Sequence, residues 1–264
     1  MADKAILFDS SLCTGCRQCQ MACKAARGAS VVENKVLKQG GVDPFAPDVD
    51  GDTLLAITYA EHAEGPKGFQ CEFGRKSCMH CGNAACVEAC PTGSMAVDSH
   101  TGLVLNDIDR CVSCGMCQKS CPFDIPRPEA EGARIVKCDG CVDRVRDDST
   151  PLCVGACPTG ALSFDDRQAI IAEGESRATA LQEKGFANAC IFGATEQGGL
   201  RVIEVLKYGP AGARGEHLAS TGGQEEANLP EWVGPVSVGA LGVVALTGIG
   251  AIGYGMKRRK RYRL

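Results

Sequence analysis

The chain has 264 residues, of which 44% are apolar, so it is long and apolar enough to bury a core, and disorder throughout is excluded. Its formal net charge is −4, although six of the last eight residues are basic. Because the dense positive charge is confined to residues 257–264 and is not spread over a folded face, we expect no nucleic-acid partner. The chain also contains 18 cysteines, which are grouped and not scattered, so cysteine chemistry dominates the interpretation.

At the amino terminus, residues 1–12 contain no apolar stretch of signal-peptide length and no cleavage site of small residues. We therefore expect no secretory signal at this end. Four cysteine motifs follow along the chain, and three of them end in a cysteine that precedes proline (Pro91, Pro122 and Pro158). In chain order the motifs are Cys13, Cys16, Cys19 and Cys23; Cys78, Cys81, Cys86 and Cys90; Cys111, Cys114, Cys117 and Cys121; and Cys138, Cys141, Cys153 and Cys157.

The spacing within these motifs predicts iron–sulfur clusters. Two residues between thiolates let one loop hold three corners of a cubane, with its amides directed at the sulfurs, and a fourth cysteine then reaches a second cluster. The proline after the fourth cysteine suggests that this cysteine opens a helix. The motifs therefore predict two bacterial-ferredoxin-like modules that hold four 4Fe–4S clusters on 16 cysteines.

Three other uses of cysteine are open. Zinc also binds paired thiolates, but a closed zinc site takes four and needs no third cysteine two residues further on. Disulfides fit an even cysteine count, but repeated two-residue gaps strain the geometry of a cross-link. A 3Fe cluster needs a missing or replaced ligand, whereas all 16 motif positions are cysteine.

The ligand sets follow from how the motifs pair. The dense centre of the cysteine pattern suggests that the second and third motifs form an inner pair and the first and fourth an outer pair. If the fourth ligands of two paired sites were exchanged, the cysteines would be divided differently among the sites, but the same 16 cysteines would be ligands. The predicted sets are site A (Cys13, Cys16, Cys19, Cys157), site B (Cys138, Cys141, Cys153, Cys23), site C (Cys78, Cys81, Cys86, Cys121) and site D (Cys111, Cys114, Cys117, Cys90).

Cys71 and Cys190 are left over, and we interpret each as a small buried apolar residue. His80 lies inside the second motif, where we expect an exposed or supporting position and not ligation. Cationic side chains beside the motifs would offset the negative charge of thiolate-bound clusters or would be solvated surface charge. They are Arg75, Lys76, Arg134 and Lys137.

After the last motif, Asp165 or Asp166 is suited to cap a helix that ends near Gly185. Pro235 to Gly255 carry no charged residue, and as a helix they would span roughly 30 Å, the thickness of a bilayer's hydrocarbon core. Trp232 and Tyr254 suit the two interfaces, and the basic residues that follow favour the cytoplasmic side. We therefore predict one transmembrane helix over residues 235–256, a basic cytoplasmic tail over 257–264 and a main domain on the opposite side.

The motifs resemble the four-cluster iron–sulfur subunits of membrane-bound molybdopterin oxidoreductases, and among these the beta subunit of respiratory formate dehydrogenase. The helix after Asp166, the glycine pair at 198–199 and the single predicted membrane span add to the resemblance. The segments that carry it are Cys13-Thr-Gly-Cys16-Arg-Gln-Cys19, Cys78-Met-His-Cys81, Cys111-Val-Ser-Cys114-Gly-Met-Cys117, Cys121-Pro-Phe-Asp-Ile-Pro-Arg127, Lys137-Cys138-Asp-Gly-Cys141-Val-Asp-Arg144 and Cys157-Pro-Thr-Gly-Ala161.

The expected fold class is α+β, with two interleaved ferredoxin-like modules over residues 1–165, a packing and linker segment over 166–234, the membrane helix and the tail. The resemblance implies a non-catalytic subunit that passes electrons from a molybdenum or tungsten pterin subunit, through four 4Fe–4S clusters, to a membrane cytochrome b and quinone. It also implies an inner-membrane location with the cluster domain in the periplasm. Export would then occur together with a partner that carries a twin-arginine signal.

Two other classes of function remain open. Similar cluster motifs occur in the electron-transfer subunits of nitrate, polysulfide or sulfoxide reductases and of a membrane hydrogenase. A non-redox metal-binding or structural module is the second alternative, and it predicts zinc or no metal in place of iron and sulfide.

Overall fold

The computed structural model describes residues 3–27, 48–62, 68, 70–129 and 134–210. These belong to a compact unit, Met1–Ala227, and a second unit, Asn228–Leu264, lies outside them. The described helices are α1 Gln18–Ala26, α2 Ala85–Glu88, α3 Met116–Ser120, α4 Val142–Arg146, α5 Leu152–Gly155 and α6 Arg167–Glu183. The described strands are β1 Lys4–Asp9, β2 Leu55–His62, β3 Gln70–Ser77, β4 Met95–Val97, β5 Val104–Asn106, β6 Arg127–Pro128, β7 Ile135–Val136, β8 Leu162–Asp166, β9 Cys190–Phe192 and β10 Val202–Leu206.

A four-stranded sheet in the order β8-β1-β10-β9 organises the fold. Its central strands, β1 and β10, pair in parallel, with Ile6 opposite Val202, and the two outer strands pair antiparallel to them. The central strands read as nearly continuous apolar runs, which is typical of strands covered on both faces. The sheet therefore separates two layers of the molecule.

The two faces of the sheet contact different layers because side chains alternate along a strand. Leu7 and Ile203 belong to the core beneath α6, together with Ile170 and Leu181 of that helix. Phe8 faces the second core, which contains motif cysteines; Ile6, Val202 and Leu206 also belong to it. One face of the sheet is thus covered by a helix and the other by the cysteine loops.

Helix α6 confirms the predicted helix after the last motif. Asp166 occupies its N-cap position but makes no side-chain capping hydrogen bond. Instead, the ammonium of Lys4 lies 3.1 Å from the Asp166 carboxylate and 3.7 Å from that of Asp165. Gly174 lets the helix approach the sheet, because a Cβ there would lie 3.2 Å from both Leu7 and Ile191 side-chain atoms.

Among the described residues, three two-stranded pairs, β2–β3, β4–β5 and β6–β7, lie outside this sheet. The longest of them, β2–β3, aligns Leu55 with Ser77 and leads directly into the second cysteine motif. The mixture of helices and hairpins agrees with the expected α+β class.

The described part of the chain contains no helix that is both long and apolar enough to cross a membrane. The predicted span at 235–256 and the tail at 257–264 lie outside that part and stay predictions. The expected division at residue 165 falls within β8, and β9 and β10 pair in the same sheet as β1. We therefore keep this division only as a proposal about roles, with cluster binding before residue 165 and support after it.

Candidate iron–sulfur sites

The four Cys-x-x-Cys loops share one backbone feature. The third residue of each loop has a left-handed conformation, with φ of 69° at Gly15, 49° at His80, 56° at Ser113 and 72° at Gly140. Glycine adopts this conformation without strain, whereas His80 and Ser113 must be held in it by their surroundings. Such turns direct successive backbone N–H groups to one side and make a concave surface that suits anions.

In the first and third motifs the loop continues into a helix that carries the third cysteine in its first turn. Arg17 (φ 60°) and Gly115 (φ 74°) are the left-handed N-cap residues of α1 and α3, which hold Cys19 and Cys117. The expectation that the fourth cysteine opens a helix is wrong for all four motifs. The helix instead precedes or contains that cysteine, because the intervening residues must turn to bring it toward another motif; Cys121, for example, is the C-cap of α3.

Two small cavities mark sites A and D. One of about 20 Å³ is lined by all four cysteines of site A and by Phe8 and Ile57. Another of about 20 Å³ is lined by all four cysteines of site D and by Met95 and Ile135. Each site has one exposed cysteine, Cys16 in site A and Cys114 in site D.

Site B surrounds a larger space. A cavity of about 230 Å³ is lined by Cys23, Cys138, Cys141 and Cys153. At site C, Cys78 and Cys121 lie near enough to the buried thiols of Cys81 and Cys86 to influence their ionisation. The structure thus gathers the motif cysteines into four groups that correspond to sites A to D, each with one cross-motif cysteine, and their role as cluster ligands stays a prediction.

Backbone amides point at several of these sulfurs. The N–H of Gly140 donates to the Sγ of Cys138 over 3.3 Å, and that of Met95 to the Sγ of Cys90 over 3.5 Å. The N–H of Ile135 donates to the Sγ of Cys111 over 3.4 Å. Within the described ranges, no three Cys, His, Asp or Glu side chains are placed to hold a single metal ion. Thiolates around enclosed space with amides directed at the sulfurs fit a cubane cluster.

Burial governs the chemistry of most of these thiols. It raises the pKa of Cys23 to about 11 and that of Cys86 to about 12, and neighbouring cysteines add to both shifts. Burial also raises the pKa of Cys19 to about 12, against the lowering effect of Arg75. Thiols with such values are protonated at neutral pH, so metal binding at these positions is coupled to proton release.

Cys90 and Cys157 behave differently because each begins a Cys-Pro-Thr-Gly turn. Burial is the largest single effect on each pKa and raises it, but several hydrogen bonds to each sulfur together lower the pKa below its ordinary value. The hydroxyls of Thr92 and Thr159 lie 3.7 Å from the respective sulfurs. These two cross-motif cysteines are therefore the easier ones to ionise.

The four cations singled out from the sequence divide into two kinds. Arg75 is 1% exposed and Lys137 is 6% exposed. The Arg75 guanidinium interacts electrostatically with Cys153, Cys138 and Cys19, and these interactions raise its pKa although burial opposes them. Lys137 donates from Nζ to the carbonyl oxygens of Val104 and Cys138.

The other two cations form ion pairs away from these interiors. Lys76 Nζ lies 2.8 Å from the Asp48 carboxylate, and Arg134 Nη1 lies 3.5 Å from that of Asp109. Arg75 and Lys137 are thus the two cations whose positions suit charge compensation at the sites.

Sequence reasoning missed Glu204, whose carboxylate is fully buried and interacts with Arg75. An acid inside the apolar run of β10 is the signal that would have found it. The interpretation of Cys71 was also wrong, because Cys71 is exposed; β3 turns Glu72 inward at that point. Cys190 is half-buried and packs at the edge of the core.

His80 is buried at 2% exposure, whereas the sequence left an exposed position open. Its Nδ1 accepts a hydrogen bond of 3.0 Å from the backbone N–H of Val104. Burial, and then the charges of Lys137 and Arg75, hold the pKa of His80 well below its usual range, so the ring is neutral.

Two family models match the chain. Residues 5–91 and residues 69–167 each match a family model described as a 4Fe-4S dicluster domain. The first of these ranges contains the first and second motifs, and the second range contains the second, third and fourth motifs. The structure, in contrast, gathers cysteines of the first motif with those of the fourth. The fold and the cysteine sites define an iron–sulfur protein with two dicluster domains.

Over 207 residues the chain is 32% identical to the nitrate-inducible formate dehydrogenase iron-sulfur subunit of Escherichia coli K12, covering 78% of this chain and 69% of that protein. It is also 32% identical over 204 residues to the formate dehydrogenase-O iron-sulfur subunit of the same organism, covering 77% and 67%. A subunit of the anaerobic dimethyl sulfoxide reductase of Haemophilus influenzae is 33% identical over 166 residues, covering 62% and 74%. The chain belongs to the family of formate dehydrogenase iron–sulfur subunits, and its role is electron transfer.

Proposed function

We propose that this chain is the non-catalytic electron-transfer subunit of a formate dehydrogenase complex and that it holds four 4Fe–4S clusters at sites A to D. One observation carries the proposal: the chain is 32% identical to a formate dehydrogenase iron-sulfur subunit over 78% of its length. The grouping of the motif cysteines at sites A to D supports it. When bound, such clusters supply one-electron redox chemistry without making or breaking substrate bonds.

The residues of the chain have three roles in this function. The motif thiolates hold each cluster, and the left-handed loops aim backbone amides at the sulfurs. The apolar core that includes Phe8 and Phe123 excludes water from the cysteine side of the sheet. Arg75 and Lys137 oppose the negative charge of the thiolates, so they favour addition of an electron at the sites nearest to them.

The partners are proposed on the same basis. Electrons would enter from a larger subunit with a molybdenum or tungsten pterin centre and leave to a membrane cytochrome b and quinone. The uncharged segment at 235–256 and the basic residues at 257–264 support a single-pass anchor in the inner membrane, with the cluster domain in the periplasm and the carboxyl terminus in the cytoplasm. The exposed cysteines at sites A and D suit electron exchange with partner subunits.

The proposal is tested by purifying the native membrane complex through a tag on this chain. We expect viologen-linked oxidation of formate, and at least about 16 iron and 16 sulfide per copy of this chain, as four cubanes require; the haem of the proposed cytochrome b adds iron but no sulfide. Zinc in place of iron would overturn the cluster assignment. Iron and sulfide at the expected level without formate turnover would retain the clusters and overturn the formate assignment.

The similarity to a dimethyl sulfoxide reductase subunit favours one alternative: an electron-transfer subunit of a reductase in which electrons flow the other way. The same preparation distinguishes the two when nitrate, polysulfide and sulfoxide are supplied as acceptors, with reduced viologen as the donor. A membrane hydrogenase subunit is distinguished by hydrogen-dependent viologen reduction. Turnover with one of these substrates and none with formate would establish the alternative.

A further inference from the structure

His80 stands at the junction of two of the proposed sites. In sequence it lies between Cys78 and Cys81 of site C. In space its side chain lines the cavity of site B, together with Cys23 and Cys138. It is the one histidine among the residues that line this cavity.

The ring nitrogens of His80 have different surroundings. Nδ1 accepts a hydrogen bond from the N–H of Val104, so it carries no proton, and the ring N–H is therefore Nε2–H. Nε2 is buried and has no hydrogen-bond partner among the described residues. A buried N–H without an acceptor destabilises the fold, so a donor in this position implies an acceptor at the cavity.

The position of the ring identifies which side of it faces the site B loop. Its Cε1, the atom between the two nitrogens, lies 3.3 Å from where a Cβ on Gly140 would be. Gly140 is the left-handed residue between Cys138 and Cys141, so the ring packs directly against the loop that supplies two thiolates. A Cβ at position 140 would lie 2.7 Å from the Leu103 side chain as well, so Leu103 and the His80 ring both pack against this glycine.

We propose that the Nε2–H of His80 donates a hydrogen bond to a sulfur atom of the iron–sulfur group held at site B and thereby raises the reduction potential of that group. The inference rests on the proposed function, since it needs a cluster at site B. A donor to sulfur stabilises the reduced form, which carries one more negative charge. His80 is then a positioning and tuning residue of site B, although its place in the sequence belongs to the motif of site C.

The test is a redox titration of the purified complex followed by electron paramagnetic resonance, for the wild type and for His80→Phe, His80→Gln and His100→Phe. Phenylalanine keeps the ring volume and removes the donor, whereas glutamine retains an N–H. His100 is exposed and serves as the matched control. We expect His80→Phe to shift the potential of one cluster to a more negative value, His80→Gln to restore part of the shift, and His100→Phe to change nothing.

A second readout separates tuning from a structural effect. Pulsed resonance on the wild type exchanged into D₂O is expected to show an exchangeable proton coupled to the shifted cluster, and this coupling is expected to be absent in His80→Phe. Four clusters with unchanged potentials in His80→Phe would overturn the inference and leave the proposed function intact. Absence of iron–sulfur clusters in the wild type would instead overturn the proposed function. A shift confined to site C, identified by comparison with Cys86→Ser, would also contradict the inference.

Discussion

Sites A and D have the same ligand chemistry as sites B and C but different surroundings. Each of the first two has an exposed cysteine, a cavity of about 20 Å³, and a cross-motif cysteine in a Cys-Pro-Thr-Gly turn. None of the cysteines at sites B and C is exposed, and a cavity of about 230 Å³ marks site B. The turns at sites A and D direct hydrogen bonds at their cross-motif cysteines, whereas Lys137 and His80 lie beside site B, and Arg75 interacts with thiols of both site A and site B.

This difference indicates a division of work within the proposed function. A site that exchanges electrons with another protein needs exposure, and the exposed apolar side chains Leu12 and Val112 lie next to Cys13 and Cys111. A site that only relays electrons can be enclosed, and enclosure strengthens every charge and hydrogen bond around it. The comparison therefore predicts that perturbations at interior sites have larger effects than equivalent ones near the surface.

The largest effect is expected from Cys138→Ser at site B, compared with Cys16→Ser at site A. Each variant should lose one cluster, so the iron content should fall by about four per copy of this chain. Cys138→Ser should also destabilise the fold by about 3–5 kcal/mol, because it empties the site B cavity and leaves the buried Arg75 beside fewer thiolates. Iron analysis and denaturant unfolding measure the two effects.

The matched pair for the cross-motif assignment is Cys157→Ser and Cys23→Ser. We expect Cys157→Ser to lose the resonance signal of the site A cluster and Cys23→Ser to lose that of the site B cluster. The opposite pattern would show that the fourth ligands of the two sites are exchanged.

Equal destabilisation by Cys138→Ser and Cys16→Ser would contradict the difference between interior and surface sites.

Arg75→Met comes second, with its neighbour Lys76→Met as the control. Arg75 interacts with thiols of both site A and site B, and its removal leaves Glu204 as a buried acid without that cation. We expect a loss of about 3 kcal/mol and more negative potentials at both sites. Lys76 pairs with Asp48 near the surface, so its replacement should change stability by less than about 0.5 kcal/mol. Unaltered potentials in Arg75→Met would refute its role in charge compensation.

These charges show how far the sequence could predict the sites. Cysteine spacing predicted the four groups, because a cluster fixes the separation of its ligands along the chain. The cysteine spacing did not predict which cations are buried. In β3, burial does not alternate as it does in a strand with one solvent-exposed face: Glu72 and Gly74 are buried, and so are Arg75 and Ser77, whose side chains point to the other face. Burial on both faces comes from layers that are distant in sequence.

His80 and α6 show which features a local sequence pattern can predict and which it cannot. The start and end of α6 follow from local signals near Asp166 and Gly185, and the structure reproduces them. The burial of His80 depends on Val104 and Gly140, which lie 24 and more residues away, so no local pattern reveals it. The ends of the helix and the grouping of the motif cysteines were predictable from the sequence, whereas the buried contacts of His80 were not.

Asp98→Asn, the third variant, tests the contact between the β4–β5 hairpin and α4 of the site B motif. Arg146 Nη2 donates to the Asp98 carboxylate over 2.6 Å, and the Thr101 hydroxyl and N–H also donate to it. Burial alone would raise the pKa of Asp98, but these bonds outweigh it and lower the pKa to about 2. Because the Arg146 side chain is 43% exposed, solvent screening reduces the expected loss to about 1 kcal/mol.

The pH dependence has a definite sign. A carboxyl whose pKa is lowered from 3.8 to about 2 by folding stabilises the protein fully above pH 3.8 and loses this effect as pH falls toward 2. The difference in unfolding free energy between wild type and Asp98→Asn should therefore be constant from about pH 5 to 8 and shrink below about pH 4. Asp143 also forms an ion pair with Arg146, but its side chain is 91% exposed. The control variant Asp143→Asn should therefore have almost no effect on the unfolding free energy. A difference that varies within the neutral range would argue against this bond as its source.

The smallest effects are expected at the Cys-Pro-Thr-Gly turns, where Thr159→Val and Thr92→Val remove one hydroxyl beside the cross-motif cysteine of sites A and D. A hydroxyl 3.7 Å from sulfur is a weak donor, so stability should change by less than about 0.5 kcal/mol. The potential of the corresponding site should nevertheless become slightly more negative, because the sulfur loses one of several donors. Redox titration of both variants, with Thr179→Val on α6 as the control, measures this. A shift in the reduction potential of the site B cluster in Thr159→Val would mean that Cys157 is a ligand of an interior site. The assignment of surface and interior sites would then be wrong.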